Sequence, residues 1–358
     1  TALSNGSRRI FEGLGVWPLI ERDATPIRRI HVSDQGRFGF ARIDAAQQGL
    51  EALGYVVINR VMGAALWRRL GETNVTVFAP ARVTAAEAAP GSRAIHCELD
   101  SGPAVLEARL VVAADGARSV VREAAGIGAQ HWEYDQVAII ANVFTQRFHD
   151  HVAYERFTPS GPLAMLPMSE GRVGLIWTLA PQVAAEVLEL ADAQFLERLQ
   201  AAFGFRLGRL TRVGVRHRYP LSLTRADAHI AERLAVIGNA AQALHPIAGQ
   251  GFNLGLRDAA SLAEVLADAR RDQADGFDPG EQPVLERYRA WRSADRQGIV
   301  RFTDGLVRVF TQPFGPVKLL RDVGMLAFDL MPPAKNLLSQ LSLGAAGKIP
   351  RLARGAPL

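Results

Sequence analysis

The residues best suited to chemistry fall in one stretch, LAVIGNAAQALHPIAGQGFNLGLRDAASLAEVLADAR, running from Leu234 to Arg270. Its pattern is strand, glycine-rich loop, helix. An apolar run at 234–237 closes on Gly238 and Asn239, as a buried strand would. Beyond Asn253 the apolar positions Ala259, Leu262, Ala263, Leu266 and Ala269 recur at the spacing of one helix face. Between them Pro246 stiffens a turn, while Gly249 and Gly251 let backbone approach a ligand closely. A helix beginning near Asn253 leaves its first N–H groups unpaired and partly positive. Gln250, Gly251, Phe252 and Asn253 would therefore face an anion, or a ligand that gains negative charge as it reacts. A glycine-rich connection with no ligand would be spelled with the same residues. The loop also departs from the dinucleotide fingerprint, because its third glycine, Gly255, arrives one residue late.

A second constellation precedes the first. An apolar run at 106–113 leads into Asp115 and Gly116, followed by Arg118, Ser119 and Arg122. Asp-Gly by itself marks only a turn. Between a strand and a helix, it sets Arg118 and Arg122 where they could oppose phosphate charge. Of the groups able to accept a substrate proton, His217, Tyr219 and His245 qualify by residue type alone, and His245 would equally serve to orient the Pro246 turn.

The elements that must position these loops can be read from periodicity. Residues 7–19 predict a short helix ended at Gly15, 27–43 a hairpin about Asp34 and Gly36, and 55–70 a strand and a helix. Strands are expected at 75–78, 94–99 and 106–113. The character then changes. Strands at 137–143, 152–157, 163–166, 172–178 and 213–219, interrupted by a helical stretch at 184–203, predict a second domain inserted between the two constellations. A ligand pocket is expected where the domains meet. Phe157, Met165, Met168 and Trp177 read as core or as lining of that pocket. Residues 302–343 read as helical and apolar with interleaved arginines, a pattern that suits packing on the core or contact with lipid.

Composition narrows the classes. A chain of 358 residues accommodates two domains, and an excess of 41 basic over 36 acidic residues, dispersed along the chain, gives a mildly basic surface suited to anionic lipid or a phosphorylated cofactor. It is not a nucleic-acid footprint. The single cysteine, Cys97, cannot form an internal disulfide and fits a reducing cytoplasm. No run of 18 apolar residues predicts a spanning helix, and no cluster of His and Cys predicts a metal site.

Taken together, the string GNAAQALHPIAGQGFNLGLRD, the DG..S..R pattern at 115–122, the HVSD.G.FG residues at 31–39 and ERFTPSGPLAMLPMSEGRVGLIW at 155–177 resemble the flavin-dependent aromatic hydroxylases, the p-hydroxybenzoate hydroxylase-like family, in its ubiquinone-biosynthesis branch. The resemblance implies an α/β FAD-binding domain with an inserted mixed β-sheet substrate domain and C-terminal helices. It places the FAD-binding domain at 1–26, 50–130 and 231–300, the substrate domain at 27–49 and 131–230, and a C-terminal helical segment at 301–358. The first residues resemble the point just after the family's first βαβ unit, so this chain is expected to lack that unit and to be flavin-poor and inactive as it stands. The implied cofactor contacts are Asp115, Gly116, Gly238, Asn239, Pro246, Gly249, Gln250, Gly251, Phe252 and Asn253. Asn239 stands where the family usually has an aspartate, and Ala64 where a polar residue is common, so the charge of the first and any contact from the second are absent.

The activity implied is hydroxylation of 2-polyprenyl-6-methoxyphenol on the route to ubiquinone with NAD(P)H and O2, without a metal or a protein nucleophile. The location implied is cytoplasmic or peripheral to the inner membrane, and the partners implied beyond the substrate are either the membrane surface or other proteins of that pathway. A sibling hydroxylase acting at another ring position, a prenyl reductase of the same superfamily and a non-catalytic prenyl-lipid-binding module are the competing expectations.

Overall fold

A computed structural model describes residues 1–36, 40–243, 250–273, 276–293 and 348–358. Strand β1 (Ala2–Ser4) enters helix α1 (Asn5–Gly13), whose first turn is fastened by the Ser4 hydroxyl accepting from the Ser7 amide. The expected helix over 7–19 is two, because Gly15 takes a left-handed turn (φ 71°) before α2 (Trp17–Ile20). Strand β2 (Thr25–Ile27), the hairpin of β3 (Arg29–Asp34) and β4 (Phe40–Asp44), β5 (Gly54–Val56) and α3 (Asn59–Leu70) follow.

Residues 75–78 are not a strand. Val75, Val77 and Phe78 are exposed, and no strand among the described residues pairs with them. Alanine-rich β6 (Ala81–Ala89) was hidden by its weak strand propensity, and it joins β7 (Ser92–Leu99) and β8 (Gly102–Ala108) in an antiparallel meander. The expected strand at 106–113 divides at 109–110. Its second part, β9 (Val111–Ala113), belongs to another sheet and leads to α4 (Val120–Ala124).

The inserted region supplies most of the largest sheet. It runs through β10 (Ala129–Thr145), β11 (Val152–Thr158), β12 (Gly161–Pro167), β13 (Arg172–Leu179), α5 (Pro181–Glu189), α6 (Asp192–Phe203), β14 (Leu210–Val213) and β15 (His217–Ala226). The helical stretch at 184–203 is thus two helices, and 213–219 spans the break between β14 and β15. The chain returns through β16 (Ile230–Ala231), β17 (Leu234–Val236), α7 (Gly238–Ala241), β18 (Gln242–Ala243) and the long α8 (Gln250–Gln273). Last comes α9 (Arg351–Arg354), which packs on α1 and α8 through Leu352, Ile10 and Ala260. The sheet order is β18-β15-β10-β13-β12-β11-β3-β4, with β14 also on β10. Helices α5 and α6 cover one face of its central strands, burying Ile139, Leu163, Leu175 and Trp177 against Val187, Phe195 and Leu199. At the near end of the other face, Ala153, Leu166 and Met168 meet Ile27 and Val56 of the β1-β5-β2 sheet. The segment expected at 302–343 lies outside the described residues.

Candidate functional site

Both constellations sit at the ends of neighbouring parallel strands. Val236 of β17 lies beside Ala113 of β9, and the Ile237 amide donates to the Ala113 carbonyl at 3.0 Å. Asp115-Gly116 and Gly238-Asn239 therefore leave the sheet side by side at the carboxyl end, where α/β sheets bind nucleotides. Gly116 takes φ 91° and Gly238 φ 59°, conformations that favour glycine. The Asp115 carboxylate turns back to accept from the Ser119 hydroxyl and, at 3.2 Å, from the Val121 amide, fixing the start of α4. Arg122, expected to oppose phosphate, is buried and donates to the Ala117 carbonyl (3.1 Å) and the Ala240 carbonyl (2.9 Å), which ties the two loops together. Arg118 stays exposed. So does Asn239, whose amide side chain makes no hydrogen bond among the described residues.

The late third glycine has a packing reason. A Cβ on Gly255 would stand 3.0 Å from the Gly238 Cα, so α8 can press against the turn only without one. Three residues on, Asp258 accepts from the Gly238 amide (3.0 Å) and from Arg292 Nε (2.8 Å), with both charged side chains wholly buried. The turn, α8 and the helix carrying Arg292 are thus one hydrogen-bonded unit. Sequence reasoning missed this pair, although an aspartate on the apolar side of a helix pattern was the available signal.

Helix α8 begins at Gln250, so the amides of 250–253 have no partner within the helix. A Cβ on Gly251 would meet no atom of the described residues within 4 Å. The Asn253 side chain is committed elsewhere: its Oδ1 accepts from the Ser4 amide (2.8 Å) and the Ser7 hydroxyl (2.7 Å), and its Nδ2 donates to the Ala2 carbonyl (3.0 Å). Asn253→Ala should cost about 2–4 kcal/mol, since it strips buried polar groups of their partner; a denaturation midpoint unchanged from wild type would contradict this. Phe252 is part-exposed, with its ring 6.3 Å from that of Phe11. Pro246, Gly249 and His245 lie outside the described residues, as does the Gln250 side chain.

Across the large sheet, register places Val32, Glu155, Ala164, Ile176, Ile140 and His217 in one row, all on the face opposite α5 and α6. His217 and Tyr219 share that face but belong to β15, four strands and about 19 Å from Glu155. Glu155 is half-buried, one pleat along from the Ala153 contact with β2 and β5. No hydrogen bond or ion pair holds its carboxyl among the described residues, and loss of hydration pushes it up to about 7. An unmatched carboxyl of that kind beside the meeting of two sheets is suited to taking and returning a proton near neutral pH. The signal in the sequence was a charge on the inward phase of VAYERFT, between Ala153 and Phe157.

Comparisons with known proteins agree with this architecture. The family described as FAD binding domain matches residues 1–303. Ubiquinone hydroxylase UbiL of Rhodospirillum rubrum is 40% identical over 363 residues, covering 100% of this chain and 83% of that protein. The 3-demethoxyubiquinol 3-hydroxylase of Escherichia coli is 32% identical, covering 96% and 86%. Among solved structures, p-nitrophenol 4-monooxygenase PnpA of Pseudomonas putida superposes with a TM-score of 0.75 at 18% identity, over 97% of this chain and 89% of that one, a likeness of fold. Among the described residues no helix is long and apolar enough to cross a membrane.

Proposed function

The chain belongs to the FAD-binding-domain family and, within it, to the flavin hydroxylases of ubiquinone biosynthesis; from that premise we propose that it hydroxylates the ring of a prenylated phenol, using NAD(P)H and O2. The observation that carries the reading is the pairing of the Asp115-Gly116 and Gly238-Asn239 loops on adjacent parallel strands, with the Asn239 amide exposed and unengaged beside them. These residues fit FAD: Gly116 and Gly251 are both open where a Cβ would project, and the α8 start offers amides with no helical partner. Asp115, Gly116, Gly238 and Asn239 would hold it together with the backbone of Gly251, Phe252 and Asn253, and Pro246, Gly249 and Gln250 are the remaining contacts proposed from the sequence. When bound and reduced, the flavin supplies the chemistry that activates O2.

The chain's own part is to bind, orient and exclude water, and to move one proton. Residues 27–49 and 131–230 form the substrate side in this reading, and 1–26, 50–130 and 231–300 the cofactor side. The Glu155 carboxylate takes the phenolic proton, which raises the electron density of the ring, and returns it to the product. 2-Polyprenyl-6-methoxyphenol is the first candidate substrate. A second reading, attack at another ring position, is favoured by the name of the Escherichia coli relative. The position is fixed by NMR of the product that the holoprotein forms from defined prenylated phenols. Asn239→Ala should weaken FAD binding about five- to tenfold, the loss of one or two hydrogen bonds; an unchanged Kd removes Asn239 from the site.

A further inference from the structure

The helix layer covers the centre of the large sheet and stops short of its edge. Beyond the end of α6, strands β3, β4 and β11 present His31, Arg42 and Arg156 on the same face, with Arg206 arriving from the turn that follows α6. That turn is fixed by Gln200, whose amide donates to the Gly204 carbonyl (2.6 Å) and the Gly208 carbonyl (3.2 Å) and accepts from the Leu210 amide (2.8 Å). A Cβ on Gly204 would stand 3.8 Å from Arg156 Nη1, so this built turn brings Arg206 to the ledge.

The ledge holds more donors than acceptors, Asp44 being the one carboxylate that β4 places on the same face as Arg42. Arg42 Nε donates to His31 Nδ1 at 3.4 Å, which places the proton of the neutral ring on Nε2. His31 is 6% exposed, and among the described residues its buried Nε2 has no partner, nor has the buried Nε of Arg156, which lies diagonally from His31 one pleat on. Arg42, Arg156 and Arg206 make no ion pair among the described residues, and Asp34, on the other face of β3, is the carboxylate that acts on Arg156. Burial and then the charges of Arg206, Arg42 and Arg156 push His31 down to about 4, which keeps the ring neutral. Exposed Phe205 (66%) and part-exposed Phe40, stacked on His31, flank the ledge. These groups belong to the segments assigned above to the substrate side, but they lie on the sheet face opposite Glu155.

We propose that Arg42, Arg156, Arg206 and the Nε2–H of His31 form a binding site for a phosphate group, carried free or on the headgroup of an acidic lipid. Three guanidinium groups supply charge and forked donors, and the imidazole N–H supplies a fixed donor at the floor. The flanking phenylalanines would lie against acyl chains if the phosphate is a headgroup.

The test titrates the holoprotein with inorganic phosphate, following the His31 ring by NMR, and separately measures co-sedimentation with phosphatidylcholine vesicles with and without phosphatidic acid. Saturable phosphate binding that shifts His31, weakened about fivefold by each of Arg42→Gln and Arg206→Gln, supports a site for the free anion. Vesicle binding that requires phosphatidic acid and falls in the same two variants, with no response to phosphate, assigns the site to a headgroup. Both positions are exposed, so the variants should fold, as thermal melting would verify. No response in either arm, or binding unchanged in the Arg42→Gln/Arg206→Gln double variant, overturns the proposal.

Discussion

Glu155→Gln should lower turnover on a prenylated phenol by about 10²–10³-fold while leaving FAD affinity unchanged, because the amide keeps the shape and removes the proton acceptor. In wild type, activity should rise as pH passes through about 7, where the carboxyl ionises; in the variant that limb should be lost. The same group has a stability signature of determined sign. Its folded value of about 7 lies above its unfolded one of 4.5, so the folded state binds the extra proton and stability falls as pH rises between those two values. The fall is on the order of 2–3 kcal/mol, and Glu155→Gln should flatten it. A variant that retains full turnover and the wild-type pH profile would remove Glu155 from the reaction and leave the family assignment untouched.

The largest effect on stability is expected at Asp258. Asp258→Ala leaves Arg292 buried beside an uncompensated cavity and the Gly238 amide without its acceptor, and should cost about 3–5 kcal/mol. Because Asp258 also fixes the Gly238-Asn239 turn, FAD affinity should fall with stability. Asp258→Leu combined with Arg292→Met should recover part of the loss, since an apolar pair has no buried charge to satisfy while the Gly238 amide still lacks its acceptor. A double variant as unstable as the two single losses added together would show that the two residues act independently, contrary to the 2.8 Å bond between them.

Much of this architecture was legible in the sequence, and the reasons are local. The run at 234–237, the helix beyond it and the strands of the inserted domain announce themselves by periodicity, because one face of each is buried against a large core. Where burial is on both sides or neither, the reading failed. β6 is spelled ARVTAAEAA, and the apolar residues at 75–78 face solvent. The boundary between β8 and β9 was invisible because both are apolar and only their partners distinguish them. Side-chain partners were harder still. Arg122 reads as a phosphate ligand and turns out to be a brace between two loops; the expected ligand contact of Asn253 is its backbone amide, and the tie its side chain makes to Ser4 and Ser7 went unread. A residue type states what a group can do, and only the fold states which neighbour it does it to.

The central claim is that this protein places one atom of O2 on a phenol ring at a flavin held by the paired loops. It is tested most directly by turning the holoprotein over under ¹⁸O₂ with NAD(P)H and a prenylated phenol, and weighing the product. One ¹⁸O in the ring for each NAD(P)H consumed, with consumption dependent on the phenol, is the predicted result. NAD(P)H oxidised with no label in the phenol, or a phenol reduced in its prenyl chain instead, would contradict it.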